Sequence, residues 1–404
     1  MSVPSRKLVG PFTQILTMDD SIGIIENGGI IINGSEIEVI SNFKELRDLA
    51  LEEHIFIDEL KESMVLLPGL IDAHTHICFA GSRAKDYAMR SEGKSYQEIA
   101  KSGGGIMNTV QKTRKATRDE LIDGILERGT ILSLNGVTTC EVKSGYGLTV
   151  KEELKMLHAI HQANEQLEID LVPTALPAHV CPPEFDDPEK YLMHISNELL
   201  PEIVVQKLAK RADIFIEEGA FSIKQSIPYL TKCQELGFDL TIHADQFNVG
   251  GSQVAIDYNA VSADHLEASG TKEIKALAAS QTIATALPGA SLGLGMQFAP
   301  ARKLIDNGVT VCIASDWNPG SAPMGDLLAQ ASLIGIFEKL NHDEILSGIT
   351  KHAANALSIQ NIGILKKGNQ ADMIGFSCAN SYEILYHQGA MKPSKIWKKG
   401  RNIK

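Results

Sequence analysis

The sequence predicts an α/β protein, a (β/α)8 TIM-like barrel inserted in a small composite β-sandwich domain formed by both chain ends. Three observations support this prediction. The 404 residues are 44% hydrophobic and 22% charged, enough apolar sequence for a large buried core. Short apolar runs alternate with helical segments through the middle of the chain. Both ends of the chain are instead rich in β-forming residues.

The two chain ends contain the signals for the small domain. Near the start, two β-rich runs in residues 29–40 flank Asn33-Gly34, a pair that tolerates the positive φ of a hairpin turn. Near the end, residues 365–376 and 395–403 each have the pattern of a turn followed by a strand. We therefore expect the small domain to consist of 1–63 and 359–404, with the barrel formed by 64–358.

The middle of the chain contains eight apolar runs, each ending in polar or glycine-rich residues before a helical segment. Nearly continuous apolar strands of this kind are typical of a parallel sheet that helices cover on both faces. Eight such units favour a closed barrel over an open sheet. The predicted strands are 64–71, 137–142, 169–175, 214–217, 239–243, 260–263, 282–287 and 310–314.

One helix between these strands has a clear start signal. Thr149 is a good N-cap, and Glu152 lies at the position that completes a capping box. Leu154, Leu157 and Ile160 follow at helical spacing and predict the buried face.

Charge and cysteine content narrow the class of protein. The chain has 38 Lys and Arg against 50 Asp and Glu, a net charge of −12, which argues against a nucleic-acid partner. The six cysteines are scattered without a C-x-x-C pair, as expected of free thiols in a reducing compartment. No signal-peptide core or membrane-length apolar run is found, so we expect a cytoplasmic enzyme without a membrane partner.

Polar residues collect at the carboxyl ends of the predicted strands, where barrel proteins place their functional groups. His74 and His76 follow strand one and point the same way because alternate residues of an extended segment share a face. His243, His265 and Asp316 end strands five, six and eight. A set of three histidines and an aspartate drawn from these strand ends would make a site suited to Zn²⁺ or Fe²⁺. Each histidine taken alone is equally consistent with a hydrogen-bonded residue at a strand end.

The segment Pro68-Gly-Leu-Ile-Asp-Ala-His-Thr-His76 resembles the first-strand signature of the metal-dependent amidohydrolase superfamily. Within that superfamily the chain resembles the imidazolonepropionases, which open the ring of 4-imidazolone-5-propanoate to N-formimidoyl-L-glutamate in histidine degradation. The similar blocks follow one another through nearly the whole chain, at 74–83, 102–110, 141–148, 177–179, 243–247, 263–266 and 315–321.

The resemblance implies a hydrolase with one divalent metal per chain, Zn or Fe. The implied metal ligands are His74, His76, His243 and Asp316. Relatives with two metals use a lysine from strand four, but residues 213–218 contain none, and Lys143 at the end of strand two is not assigned as a bridging ligand.

The resemblance also implies the residues that hold the substrate. Arg83 is the expected partner of the propionate carboxylate, because a buried anion needs a cation or several donors. Gln246 cannot act as a base, so we expect it to position the substrate. The full implied set is Arg83, Tyr96, Tyr146, His179, Gln246, Asn318, Gly320 and Ser321.

Three residues are expected to take part in catalysis. His179 is expected to donate a hydrogen bond to the ring carbonyl and to steady the developing oxyanion. His265 is expected to do similar work or to shuttle a proton. Either Asp316 or His265 must move the protons of the reaction.

Two other functions remain open at the level of sequence. One is another cyclic amidase, or an aminohydrolase acting on a purine or pyrimidine ring; ammonia release would identify the aminohydrolase. The other is a barrel that binds a metal or ligand without catalysis. The chain could also form a homodimer, and its sequence does not choose between Zn and Fe.

Overall fold

The computed structural model describes residues 6–404, apart from the side chains of residues 96, 97 and 100. The described chain forms two eight-stranded sheets. One is a parallel barrel built from the middle of the chain, and the other is a mostly antiparallel sheet built from both ends. This arrangement confirms the predicted fold class.

The sheet of the chain ends has the strand order β16-β15-β14-β5-β1-β2-β3, and β4 pairs with β1 outside this order. The predicted hairpin joins β2 and β3, with Asn33 opposite Glu36 and with Gly34 at φ +61°. The strands are β1 (Arg6–Leu16), β2 (Ile24–Asn33), β3 (Glu36–Asn42), β4 (Phe56–Glu59), β5 (Val65–Pro68), β14 (Met373–Phe376), β15 (Lys395–Lys398) and β16 (Arg401–Asn402).

The barrel strands follow one another around the sheet in chain order from β6 to β13. The first and last strands meet beyond their ends, where Asp316 N donates to His74 O (3.0 Å) and His76 N donates to Trp317 O (3.0 Å). The barrel strands are β6 (Leu70–Asp72), β7 (Val137–Lys143), β8 (Asp170–Ala178), β9 (Arg211–Phe215), β10 (Asp239–Ala244), β11 (Ser262–His265), β12 (Ile283–Ala286) and β13 (Val311–Ile313).

The single strand predicted over 64–71 is divided between the two sheets. β5 pairs with β1 and β14 of the small sheet, whereas β6 pairs with β7 of the barrel. The chain changes sheet at Gly69, where a Cβ atom would lie 2.2 Å from Thr138 Oγ1. Because the whole run is apolar, the hydrophobic pattern alone did not reveal this change.

The fourth barrel strand begins earlier than predicted, at Arg211, and ends at Phe215. The prediction began at Ile214 because Arg211 and Asp213 interrupt the apolar pattern. Both charged side chains are nevertheless buried in the barrel.

Helices cover the outside of the barrel and part of the small sheet. The helix bounds are α1 (Phe43–Glu52), α2 (Ala84–Ser91), α3 (Tyr96–Lys101), α4 (Ile106–Lys115), α5 (Arg118–Leu134), α6 (Val150–Asn164), α7 (Pro188–Glu198), α8 (Leu200–Val205), α9 (Ile223–Glu235), α10 (Gly251–Asp257), α11 (Thr271–Ala278), α12 (Pro288–Leu294), α13 (Ala301–Asp306), α14 (Leu327–Glu338), α15 (His342–Gly348), α16 (Lys351–Ala356) and α17 (Tyr382–Tyr386). Within residues 6–404, none of these helices combines the length and the apolar character that crossing a membrane requires.

The helix predicted from its cap is α6. Thr149 Oγ1 accepts from Glu152 N (3.3 Å), and Leu157 and Ile160 are buried as expected, while Leu154 is half-buried. The capping box is not completed, because the Glu152 carboxylate pairs with Lys155 instead.

A buried ion pair joins the two sheets at the bottom of the barrel. Lys398 of β15 is 1% exposed and contacts Asp372 (2.6 Å) and Asp170 at the start of β8 (2.8 Å). These contacts hold the small sheet against the amino end of the barrel, away from the strand ends that carry the histidines.

Candidate metal centre and substrate cavity

Three imidazoles and one carboxylate converge at the mouth of the barrel. His76 Nε2 lies 3.3 Å from His243 Nε2 and 3.4 Å from Asp316 Oδ1, and His74 Nε2 lies 3.6 Å from the same carboxylate oxygen. All four side chains are buried. The histidines form a group that can hold a metal ion.

Two further carboxylates fix the orientation of two of these rings. His74 Nδ1 donates to Asp264 Oδ2 (2.6 Å), and His243 Nδ1 lies 2.9 Å from Asp213 Oδ2. A proton on Nδ1 leaves the Nε2 lone pair of a neutral imidazole free to bind a metal. The two rings therefore present their Nε2 atoms to the centre of the site.

Backbone contacts around β6 place His74 and His76. Lys143 N donates to Thr75 O (2.9 Å), and Thr75 Oγ1 donates to Glu141 O (2.6 Å), so β7 holds the segment between the two histidines in extended form. Because alternate side chains of an extended segment share a face, both imidazoles point to the same place.

The carboxylate of Asp316 is positioned by its own loop. The Asp316 backbone has φ +52°, a conformation that aspartate tolerates better than most residues. Asn318 Nδ2 donates to Asp316 Oδ2 (3.0 Å), which leaves Oδ1 facing the histidines. Asn318 Oδ1 accepts from Gly320 N and Ser321 N (2.8 Å each) and thereby folds the loop after β13.

Burial favours the neutral form of the three histidines. It lowers the pKa of His74 and His76 well below the ordinary value, and it lowers the pKa of His243 despite the opposing charge of Asp213. Burial also raises the pKa of Asp316 to about 7, with His265 opposing the shift. Neutral imidazoles are the form that binds metal.

The donor set fits a divalent ion. With metal–ligand bonds of about 2.0–2.1 Å, the donors of a tetrahedral site lie roughly 3.3 Å apart, and the separations here are 3.3–3.6 Å. His74 Nε2 is buried and has no hydrogen-bond partner among the described residues. The Nε2 atoms of neutral His76 and His243 also face each other at 3.3 Å. A cation bound between the two nitrogen atoms would explain this contact.

A cavity of about 710 Å³ lies above the converging side chains. Its wall includes His76, His179, His243, His265, Gln246 and Tyr146, together with the cations Arg83, Arg90 and Lys94. Asp316, Asn318 and Ser321 complete the floor and rim. Glu217 and Glu218 also line the cavity. The cavity therefore combines the group of metal-binding side chains with a wall that carries both cations and carboxylates.

Arg83 is held at the start of α2 by neighbouring groups. Arg83 Nε donates to Asp86 Oδ2 (2.8 Å), and the same oxygen accepts from Gly105 N (2.8 Å). Gly320 lies against the guanidinium, since a Cβ at this position would be 2.1 Å from Arg83 Nη1. Gly320 therefore leaves room for the arginine and does not itself line the cavity.

His179 and Tyr146 lie together beside the metal ligands. The ring centroids of His179 and His76 are 5.3 Å apart in a stacked arrangement, and those of His179 and Tyr146 are 5.5 Å apart. His179 Nδ1 is 3.0 Å from Gly145 O, and because a carbonyl only accepts, Nδ1 must carry the proton.

The tautomer of His179 favours an acceptor role over the donor role expected from the sequence. Burial lowers the pKa of His179 to about 3, so the ring is neutral. With the proton on Nδ1, Nε2 is an acceptor and cannot donate a hydrogen bond to an oxyanion. The prediction missed this because the Gly145 contact joins two different barrel loops.

His265 has the opposite electrostatic environment. Burial lowers its pKa, but the carboxylate of Glu267, 3.5 Å from His265 Nδ1, outweighs burial and the pKa is raised. The His265 ring lies 5.3 Å from His243 between centroids and faces the cavity. His265 therefore differs from His74, His76 and His243, since its environment favours the protonated form.

The remaining predicted residues are placed as follows. Gln246 lines the cavity, and Ser321 lies at its rim. Tyr96 belongs to α3, but its side chain lies outside the described residues.

Comparisons with known proteins agree with this geometry. The model of the amidohydrolase family matches residues 235–403. The imidazolonepropionase of Alkaliphilus oremlandii is 38% identical over 386 residues, which is 95% of this chain and 91% of the relative. The imidazolonepropionase of Bacillus mycoides is 37% identical over 401 residues, 96% of this chain and 94% of the relative.

The chain belongs to the imidazolonepropionase family. Solved structures with similar folds include a triazine hydrolase variant (TM-score 0.74, 17% identity, 98% of this chain and 94% of that one). A zinc-bound adenosine deaminase from Xanthomonas campestris is also similar (TM-score 0.71, 14% identity, 98% and 92% coverage). At these identities the likeness shows the shared barrel and small sheet alone.

This member of the imidazolonepropionase family contains site residues that strand-end reasoning missed. They are Asp213 and Asp264 behind the histidines, Glu267 beside His265, and Arg90 in the cavity wall. Lys143, which the sequence placed at the end of strand two without a role, lies between the two aspartates. Lys143 lies on the second barrel strand, Asp213 on the fourth and Asp264 on the sixth. A charged residue within an otherwise apolar parallel strand was the signal that could have revealed them.

Proposed function

We propose that the chain hydrolyses the ring amide of 4-imidazolone-5-propanoate and releases N-formimidoyl-L-glutamate, a step of histidine degradation. The observation that carries this proposal is the convergence of three Nε2 atoms and one carboxylate oxygen under a cavity with an arginine in its wall. Membership in the imidazolonepropionase family supports the same substrate and reaction.

The proposed metal ligands are His74, His76, His243 and Asp316. A divalent ion held there would lower the pKa of a coordinated water toward about 7 and would polarise the ring carbonyl. Either Zn²⁺ or Fe²⁺ suits three imidazoles and a carboxylate.

The cavity wall orients the substrate. Arg83 binds the propionate carboxylate at one end, and this charge-assisted contact fixes which ring atom lies above the histidines. His179 Nε2 accepts a hydrogen bond from a ring N–H, and Tyr146 donates through its hydroxyl. Both contacts hold the ring amide in the plane that attack by water requires. Gln246 closes the side of the cavity next to β10.

Two residues move the protons of the reaction. We assign to Asp316 the transfer of the proton that the attacking water releases, because it is the carboxylate of the ligand group and a carboxylate can accept a proton. Glu267 raises the pKa of His265. In the proposed reaction His265 gives a proton to the ring nitrogen as the C–N bond breaks. The water oxygen becomes part of the new carboxylate, and the nitrogen remains in the formimidoyl group.

A direct assay tests this reaction. Freshly generated imidazolonepropionate is added to the purified chain, and the decay of its ultraviolet absorbance is followed before and after metal chelation. We expect chelator-sensitive decay with formimidoylglutamate as the product and without ammonia. Ammonia release would instead identify a ring aminohydrolase.

The variant His243→Ala provides the matching control for the metal centre. It should lose the metal and the activity together. If this variant lost activity while retaining a full equivalent of metal, the proposed ligand set would be wrong. Metal analysis of the active wild-type chain decides between Zn²⁺ and Fe²⁺.

A further inference from the structure

A buried lysine lies directly behind the proposed metal ligands. Lys143 is fully buried at the end of β7, where its Nζ is 2.8 Å from Glu141 Oε1 and 2.9 Å from Asp213 Oδ2. Asp264 Oδ2 lies 3.9 Å from the same nitrogen. Three carboxylates from three barrel strands thus surround one ammonium group in the barrel interior.

Two of these carboxylates also contact the metal-binding imidazoles. Asp213 Oδ2 is the oxygen that lies 2.9 Å from His243 Nδ1. Asp264 Oδ2 is the oxygen that accepts from His74 Nδ1 at 2.6 Å, and it also accepts from Thr241 Oγ1 at 2.9 Å. The oxygen that faces Lys143 is therefore, in each aspartate, the same oxygen that orients a histidine.

The three buried carboxylates need a cation between them. Glu141, Asp213 and Asp264 are fully or almost fully buried, and like charges so close together repel strongly where water is excluded. Arg211 reaches only Glu141, at 3.9 Å. Lys143 is the described cation within 4 Å of both aspartates. Without Lys143, the carboxylates would move apart, and the imidazoles in contact with them would move too.

We propose that Lys143 is a positioning residue of the metal centre, holding Asp213 and Asp264 where they aim His243 and His74 at the ion. The proposal rests on the metal ligands given under the proposed function. It assigns Lys143 no contact with substrate or metal, and its effect passes through the two aspartates. Loss of such outer partners typically weakens metal binding about 10- to 100-fold.

The test measures metal affinity and not turnover. The metal-free chain and its Lys143→Met variant are titrated with Zn²⁺ in competition with a chromophoric chelator, and urea unfolding shows whether each is folded. We expect the dissociation constant for Zn²⁺ to rise about 10- to 100-fold in Lys143→Met. An unchanged or lower dissociation constant would overturn the proposal.

Lys398→Met is the matched control. Lys398 is equally buried and also pairs with two aspartates, but it joins the small sheet to the bottom of the barrel. We expect this variant to lose stability while its Zn²⁺ affinity stays within about twofold of wild type. If it weakened Zn²⁺ binding as much as Lys143→Met does, the effect would be one of general stability and the proposal would fail.

A second variant covers the case in which Lys143→Met does not fold. The double variant Lys143→Met with Glu141→Gln removes one positive and one negative charge, so the net charge near the metal is unchanged. We expect weak Zn²⁺ binding to persist, because both aspartates still lack their cation. Wild-type affinity in the double variant would mean that Lys143 only neutralises Glu141, which contradicts the proposal. A wild-type chain that binds no Zn²⁺ would instead refute the proposed metal centre itself.

Discussion

At the scale of single residues, the chemistry depends on which nitrogen of each imidazole carries a proton. Asp264 and the backbone of Gly145 impose a proton on Nδ1 of His74 and His179. Glu267 raises the pKa of His265 and so favours its protonated form. The proposed roles of these histidines as ligand, acceptor and acid therefore follow from their neighbours, and their shared residue type does not distinguish them.

Arg83→Met tests the proposed carboxylate contact. Loss of a hydrogen bond to a charged group costs about 1.5–3 kcal/mol, so KM should rise roughly 10- to 100-fold. Because Arg83 would contact the carboxylate equally in the bound substrate and in the transition state, kcat should change little. Steady-state kinetics on imidazolonepropionate measure both constants.

A substrate analogue with an ethyl group in place of the propionate is the control for Arg83. Wild type and Arg83→Met should bind this analogue with similar KM values. An equal loss against both substrates would show that Arg83 supports the fold of the cavity and not the carboxylate.

The sequence revealed the residues whose position follows from a strand end. His74, His76, His243 and Asp316 were predicted to lie at strand ends that meet at one mouth, and the family resemblance selected them as ligands. The structure brings them together. The tautomer of His179 and the pairing of His265 with Glu267 could not be predicted, since both depend on the relative position of side chains or loops in space.

At the scale of elements, the loop between β7 and α6 is built on one buried carboxylate. Glu153 accepts hydrogen bonds from the backbone N–H groups of Gly145 (3.1 Å), Gly147 (2.7 Å) and Leu148 (2.8 Å). Burial raises the pKa of Glu153, and these bonds offset part of the shift. Tyr146 and the carbonyl that fixes His179 belong to the loop that Glu153 holds.

Glu153→Gln tests this role. Glutamine keeps the shape but replaces one acceptor oxygen with a donor, leaving buried N–H groups unpaired at a cost of about 1–3 kcal/mol. We expect the free energy of unfolding in urea to fall by this amount and the KM to rise as Tyr146 shifts.

Glu120→Gln is a suitable comparison for Glu153. Glu120 is exposed and accepts one backbone bond, from Thr117 N (2.8 Å), in the capping box of α5. The variant Glu120→Gln should lose less stability than Glu153→Gln and should leave KM unchanged. Unchanged KM in Glu153→Gln as well would exclude a role for Glu153 in the cavity.

The barrel strands show why the second layer of the site escaped prediction. Glu141, Lys143, Asp213 and Asp264 lie on the second, fourth and sixth strands, and alternate strands of a barrel contribute to the same interior layer. The apolar pattern that identified the strands treats such residues as interruptions. The contacts among these four residues form only in the closed barrel, where the three strands face the same interior space.

At the scale of the whole molecule, Asp170 and Lys398 link the two sheets. Burial raises the pKa of Asp170, but Lys398 and Lys399 outweigh burial and the pKa is lowered. A lowered carboxyl pKa stabilises the folded state above the unfolded value of about 3.9. That contribution is lost as the pH falls through the folded-state pKa.

Asp170→Asn should therefore destabilise the chain at pH 7 and not at strongly acid pH. Because Asp170 is partly exposed, we expect a loss of about 1 kcal/mol at pH 7, measured by urea unfolding. The difference from wild type should shrink as the pH falls below about 3.9. A pH-independent difference would point to packing and not to charge. Asp186→Asn, at a highly exposed pair with Lys190, should show no difference at either pH.

The fold class was predictable because alternation of strands and helices is a property of the whole chain. The change of sheet at Gly69 was not, since it follows from contact with Thr138 across the barrel. The expected homodimer, the cytoplasmic location and the domain limits stay predictions.

The seam between the first and last barrel strands has a consequence for biosynthesis. His74 and His76 lie on one side of this seam and Asp316 lies on the other. At about 5–20 residues per second, a ribosome releases the two sides tens of seconds apart. A nascent chain that has not yet reached Asp316 has an open barrel and an incomplete donor set. Under the proposed ligand set, the complete site therefore forms only after Asp316 has been synthesised.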